Sequence, residues 1–133
     1  MKSVTIVSED KVGLLADISY ILGKAKVNIE SISVDVVAGK AIITLTIGNP
    51  AKAKDVLERN GYTVAESNVL VIKLADKPGE LSRITNMLAG DHVNIQNVHM
   101  LSRDGKNTVL AIVVDKPKKA SKMLEDHLVN KPD

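Results

Sequence analysis

Two short phrases, "DKVGLL" at residues 10–15 and "DKPGEL" at residues 76–81, stand at the same place in two near-copies of one longer pattern. Duplication constrains this chain more than anything else in it, because a repeated string of elements must fold into two similar units. An offset of 66 residues sets Asp10 on Asp76, Gly13 on Gly79, Leu15 on Leu81, Ile18 on Ile84 and Leu22 on Leu88. "VNI" at 27–29 falls on "VNI" at 93–95, and Gly39–Lys40 on Gly105–Lys106. One inserted residue then brings Pro50 onto Pro117 and "VLE" (56–58) onto "MLE" (123–125).

Each copy reads as the same series of elements. Residues 3–9 and 69–75 are rich in β-branched side chains and predict strands. Leu14, Leu15, Ile18, Ile21 and Leu22 recur at helical spacing, as do Leu81, Ile84 and Leu88, with Gly23 and Gly90 near the helix ends. In the alternating stretch 29–37, Ile32, Val34 and Val36 are expected to point inward, and in 95–102 Val98 and Met100. "AGK" (38–40) and "DGK" (104–106) mark hairpin turns where glycine supplies positive φ. The returning strands are 41–47 and 107–114. A second helix follows, opened by Pro50 or Pro117, where the missing N–H is harmless. Its inward face carries Ala53, Val56 and Leu57, or Ala120, Met123 and Leu124; Gly61 and "YTVAES" (62–67) then predict a fourth strand.

The pattern is βαββαβ, an α+β, ferredoxin-like arrangement, in two domains, 1–67 and 68–133. The second domain ends in "VNKPD", too short and polar for a fourth strand, so the strand at 69–75 is expected to be an open edge needing cover from a neighbouring chain or from the first domain. The strand 107–114 is apolar on both faces, which points to packing against another copy or an enzyme subunit.

This topology hosts many functions, and the residues present remove several. RNA-binding modules of this shape stack bases on aromatic side chains, and the chain has no Phe or Trp and only Tyr20 and Tyr62. With no cysteine there is no disulfide, thiolate metal site or cysteine nucleophile. The net charge of +2, spread among interleaved acids and bases, gives no nucleic-acid or membrane footprint. The N-terminus meets charge before a signal-like core can form, and the apolar runs are too short to span a bilayer as a helix, so a cytoplasmic protein is expected. His92, His99 and His127 all fall in the second copy, at no metal-ligand spacing, and read as surface residues. No catalytic group, metal site or cofactor is expected, and no enzyme.

What remains is the repeated corner. A glycine between strand and helix lets backbone N–H groups approach a ligand, and the helix N-terminus favours an anion. Asp10 and Asp76 are placed either to cap the helix or to accept from a ligand's ammonium. Together with "VNI", the string "DKPGEL…HVNI" resembles the ACT domain, a small amino-acid-binding regulatory module, and "DKVGLL…KVNI" is a looser copy in which Val12 replaces the favoured proline. ACT domains commonly associate through the first helix and second strand into an eight-stranded sheet, holding the amino acid between the first loop of one copy and the asparagine opening the second strand of the other. The resemblance thus implies one site of Asp10, Lys11, Val12, Gly13 and Asn94, and another of Asp76, Lys77, Pro78, Gly79 and Asn28. An asparagine amide suits both ends of an amino acid, donating to the carboxylate and accepting from the ammonium. Asp17 and Arg83, at equivalent helix positions, are expected to face each other between the copies. The expected function is non-catalytic sensing of a small amino acid, relayed to a metabolic enzyme or regulator, by a protein that forms a homodimer. The alternative is a ligand-free dimerising subunit of a biosynthetic enzyme.

Overall fold

The structure, a computed structural model, describes residues 2–66 and 68–130. The chain folds as two compact units, the first drawn mainly from its N-terminal half and the second from Asn68 onward. In the first unit, strand β1 (Lys2–Glu9) leads to helix α1 (Leu14–Lys24), strands β2 (Ile29–Val37) and β3 (Lys40–Ile47), helix α2 (Pro50–Arg59) and a short strand β4 (Thr63–Ala65). The sheet order is β2-β3-β1-β4, with β1 antiparallel to both β3 and β4. The second unit runs β5 (Val69–Ala75), α3 (Glu80–Gly90), β6 (Ile95–Arg103), β7 (Asn107–Val114) and α4 (Pro117–Met123). Its sheet has the order β5-β7-β6. Each unit thus has its own sheet, of four strands in the first and three in the second.

The fully buried side chains of both cores are aliphatic. Ile6, Ile43, Leu45 and Ile47 of the first sheet close onto Ile18 and Leu22 of α1 and Leu57 of α2, all fully buried. In the second unit Leu70, Ile72 and Ile112 meet Ile84, Leu88 and Leu124 in the same way. Each such side chain contributes roughly 1.5–3 kcal/mol by leaving water, and this replaces the aromatic anchors the chain lacks.

The inserted residue that separates the copies lies in the second hairpin. Two residues, Ala38 and Gly39, join β2 to β3, whereas three, Asp104 to Lys106, join β6 to β7. Glu9 therefore pairs with Lys40, while its counterpart Ala75 pairs with Asn107. The returning strands are thus equivalent from Lys40 and Asn107 onward, one position later than the glycines suggested. Asp104 closes the longer turn by accepting from the Lys106 and Asn107 amides at 2.9 and 2.8 Å. The Asn107 bond first and then that of Lys106 hold its carboxyl below the usual range.

Two expectations are corrected. Ile32, Val34 and Val36 share a face of β2 but are not buried; they are 44–53 % exposed, as are Val98 at 46 % and Met100 at 51 % on β6. The reason is position: β2 and β6 are edge strands. Nor is β5 an open edge. The polar tail at 127–130 lies along it, with a bridge between Ile72 and Leu128. Lys73 N–H donates to the His127 carbonyl and Val129 N–H to the Val71 carbonyl, each at 2.8 Å. The side chain of Asn130 then acts as a peptide group, accepting from Val71 N–H at 2.7 Å and donating to the Val69 carbonyl at 3.1 Å. An amide side chain thus does what the missing strand's backbone would have done.

Candidate functional site

Both strand–helix corners are built on a left-handed glycine, Gly13 at φ 84° and Gly79 at φ 87°, which serves as the helix N-cap. Side chains rarely adopt this conformation, so the glycines are required by the turn. Neither helix has a side-chain cap: Asp10 and Asp76 do not close the first turn. Asp17 N–H and Arg83 N–H bond back to the Gly13 and Gly79 carbonyls at 2.9 Å.

Each corner opens onto a cleft of about 380 Å³ between the loop, the first turn of the helix and the sheet. The two clefts are the same place in the two units. Asp10, Lys11, Leu15, Val34 and Ile43 line the first, and their equivalents Asp76, Lys77, Leu81, Met100 and Leu110 the second. A slightly larger hollow of about 400 Å³, by Lys2, Pro50, Lys54 and Glu66, carries neither repeated motif. Recurrence therefore marks the corner clefts as the candidate site.

The loop residues are presented to solvent. Val12 is fully exposed, and Lys11, Lys77 and Pro78 are exposed as well. Lys11 also lies 5.9 Å from the ring centre of Tyr62. Asp10 has no hydrogen-bond partner among the described residues, but Asp76 is clamped. Arg103, the last residue of β6, grips it with Nε on Oδ2 and Nη2 on Oδ1, both at 3.1 Å. The counterpart of Arg103 in the first unit is Val37, which is buried. Glu80 is similarly held by Arg83, at 3.3 Å to Nε and 3.1 Å to Nη2. That bond above all keeps its carboxyl below the ordinary range.

Asn28 and Asn94 are exposed and open β2 and β6, at the far end of these strands from the clefts. A nine-residue strand spans roughly 30 Å, so a unit does not bring its own asparagine to its own loop. The Asn28 side chain donates to Glu30 at 3.0 Å, and Asn94 is fixed through its backbone N–H on Asp115 at 2.9 Å. Asp17 and Arg83 likewise have partners in their own units. Asp17 accepts from the Tyr62 hydroxyl, and Arg83 joins Glu80 and lies 3.4 Å from the His127 ring. Partial burial and then this bond push the Tyr62 phenol up to about 12.

Sequence reasoning missed Arg103 as a site residue and Tyr62 as the partner of Lys11 and Asp17. Arg103 had a signal: the offset that aligns the copies sets this arginine against a valine. Tyr62 had none, because its partner lies 45 residues away on another element.

A duplicated ferredoxin-like unit, each copy with a glycine corner over a small cleft, is the class of protein that these features define. The chain belongs to the ACT domain pair family, whose model matches residues 1–131. Among solved structures it is similar to protein BT0572 from Bacteroides thetaiotaomicron, at 22 % identity and TM-score 0.49, covering 96 % of this chain and 90 % of that one. It is also similar to an unknown protein from Galdieria sulphuraria, at 16 % identity and TM-score 0.46, covering 94 % and 92 % of the two chains. A third is the regulatory subunit of aspartate kinase from Thermus thermophilus in its ligand-free form, at 12 % identity and TM-score 0.44, covering 93 % and 90 %. No curated protein matches the chain. Among the described residues no helix is long and apolar enough to cross a membrane.

Proposed function

We propose that this ACT domain pair is a non-catalytic regulatory protein that binds a small amino acid at its corner clefts and relays that state to a metabolic enzyme or regulator in the cytoplasm. The observation that carries the reading is the recurrence of one cleft in both units, each beneath a helix whose first turn has no side-chain cap. Uncapped N–H groups at a helix start suit a carboxylate. In this reading the loop of one ACT unit, Asp10 to Gly13 or Asp76 to Gly79, holds the ligand together with the asparagine, Asn94 or Asn28, of a facing unit. A ligand bridging two units stabilises one arrangement of them, and a partner that recognises that arrangement feels a coupling of about 1–3 kcal/mol. No chemistry on the ligand is involved. The exposed apolar side chains of β2 and β6 suit association with further copies of the chain.

The test is a thermal-shift screen of the full chain against the standard amino acids at millimolar concentration, with Asn28→Ala and Asn94→Ala alongside. A ligand at roughly 100 times its Kd adds about 2.7 kcal/mol, several degrees in Tm for a chain of this size. A shift for one amino acid or a related group, lost in the asparagine variants, supports the reading. A protein that no amino acid shifts is instead a ligand-free dimerising subunit.

A further inference from the structure

The two clefts share their shape and differ in two ionisable side chains: the second has Glu80 where the first has Leu14, and Arg103 where the first unit has Val37. The first cleft offers Asp10 without a hydrogen-bond partner among the described residues and has Val37 where the second has Arg103. In the second cleft both oxygens of Asp76 are held by the Arg103 guanidinium, and the Asp76 side chain is only 13 % exposed against 62 % for Arg103. An ammonium ligand would have to displace a two-point, charge-assisted contact to reach Asp76. The site is therefore closed to the interaction that the sequence alone suggested for this aspartate.

What the second cleft offers instead is the other side of the guanidinium. An arginine carries five N–H donors in a rigid planar fork, and Asp76 takes one from Nε and one from Nη2. The remaining donors point away from Asp76, and most of the side chain is exposed. The other acid of the cleft, Glu80, is matched by Arg83, whereas Lys77 has no acidic hydrogen-bond partner among the described residues. With each carboxylate already matched, the unmatched charge is positive. Leu74, Leu81, Met100 and Leu110 supply an apolar wall for the methylenes of a short chain.

We propose that Arg103 gives the cleft of the second unit a guanidinium contact for a carboxylate, with Asp76 as its positioning residue, and that the first cleft lacks this contact. The ligand is a small carboxylate with a short aliphatic body, an acidic amino acid being the simplest that also meets the reading above, on which this inference rests. The carboxylate that Arg103 takes is either the side-chain or the α-carboxylate group, and the probes separate the two.

The experiment is calorimetric titration of the full chain with L-glutamate, L-aspartate, glutarate and L-alanine, repeated on Arg103→Lys, Arg103→Val and Asn28→Ala. Removing a charge-assisted hydrogen-bonded contact weakens binding roughly 10- to 100-fold, so Arg103→Val loses the acidic probes and Arg103→Lys, which keeps charge without the fork, weakens them. Tighter binding of glutamate and glutarate than of alanine assigns the contact to the side-chain carboxylate; equal binding of alanine, still lost in Arg103→Val, assigns it to the α-carboxylate. Because Arg103→Val leaves Asp76 unpaired and can destabilise the unit, the Arg103 Nε–H resonance of the wild-type chain is followed during glutamate titration. A specific, saturable shift is expected. No binding by any probe, or binding unchanged in both Arg103 variants with the resonance unmoved, overturns the inference. Loss in Asn28→Ala with Arg103 variants unaffected leaves the two-unit reading standing without it. Loss in the Arg103 variants alone does the reverse.

Discussion

At the scale of single residues, the two copies solve the end of their first helix in the same unfavourable way. Lys26 and His92 adopt φ 59°, and the amides that follow close the helix: Val27 N–H onto the Leu22 carbonyl and Val93 N–H onto Leu88, each at 2.9 Å. This is the left-handed termination that glycine normally supplies, while Gly23 and Gly90 lie one turn or less earlier, inside the helices. A side chain in this conformation costs about 1–2 kcal/mol, partly offset by glycine's larger entropy loss. Lys26→Gly and His92→Gly are each expected to stabilise their unit by roughly 0.5–1 kcal/mol, read as a higher midpoint in urea at unchanged slope. Tyr62 makes a second prediction. Its phenol is raised from an ordinary value of 10.0 to about 12, so the folded state favours the protonated form. That contribution to stability is fully present below 10.0 and fades as pH rises through about 12. Absorbance titration of phenolate should show one late-ionising tyrosine, absent in Tyr62→Phe, and a Tyr62→Phe chain should lose less stability than wild type across that window.

At the scale of elements, the tail along β5 is held by two backbone hydrogen bonds and by two from one side chain. Asn130 is 2 % exposed and meets β5 at both Val71 N–H and the Val69 carbonyl. Asn130→Ala leaves these groups buried without that partner and is expected to cost about 1–3 kcal/mol. Hydrogen exchange should locate the loss: the Val71 amide quickens most, while Lys73, held by the His127 carbonyl, is affected less. Equal acceleration of both would mean the tail detaches as a whole and the amide is no separate clamp. The same element shows where sequence reading stops. The strands and helices were legible because their apolar spacing repeats twice, and an error would have had to occur in both copies. The tail was not, since "LVN" has no alternation and works through an amide that imitates a peptide group. The exposure of Val34 and Met100 was hidden too, because alternation reports which face a side chain takes and not whether its strand is central or at an edge. Of the candidate site, the glycine corners could be read directly. The Asp76–Arg103 clamp spans 27 residues and shows in the sequence only as a charge set against a valine.

At the scale of the whole molecule, what stands out is a pair of edges that the chain leaves apolar. β2 and β6 each end a sheet, each runs nine residues, and each carries large exposed aliphatic side chains at matched positions, Ile32 with Val98 and Val34 with Met100. Proteins usually blunt such edges with charge, proline or cover; neither strand contains lysine or proline, and the charges present are Glu30 and Asp35 on β2 and Arg103 at the end of β6. Exposed apolar side chains kept at matched positions through a duplication suit a chain that associates through them, and the proposed site needs a facing unit, since a unit's own asparagine lies at the far end of its strand from its own loop. The full chain is therefore expected to sediment as a dimer or larger species at micromolar concentration. Ile32→Lys combined with Val98→Lys should shift it to monomer, because these side chains lie outside both clefts and a lysine on an exposed edge opposes strand pairing. Substitutions at exposed positions alter folding stability by only about 0.5 kcal/mol, so a change in mass with an unchanged urea midpoint separates lost association from lost folding. If the wild-type chain is monomeric throughout, these edges do not join copies of the chain. If the double variant remains associated, the interface lies elsewhere on the molecule. If it becomes monomeric and also loses its response to amino acids, association and ligand binding are one event, which is the linkage a sensor of this kind needs.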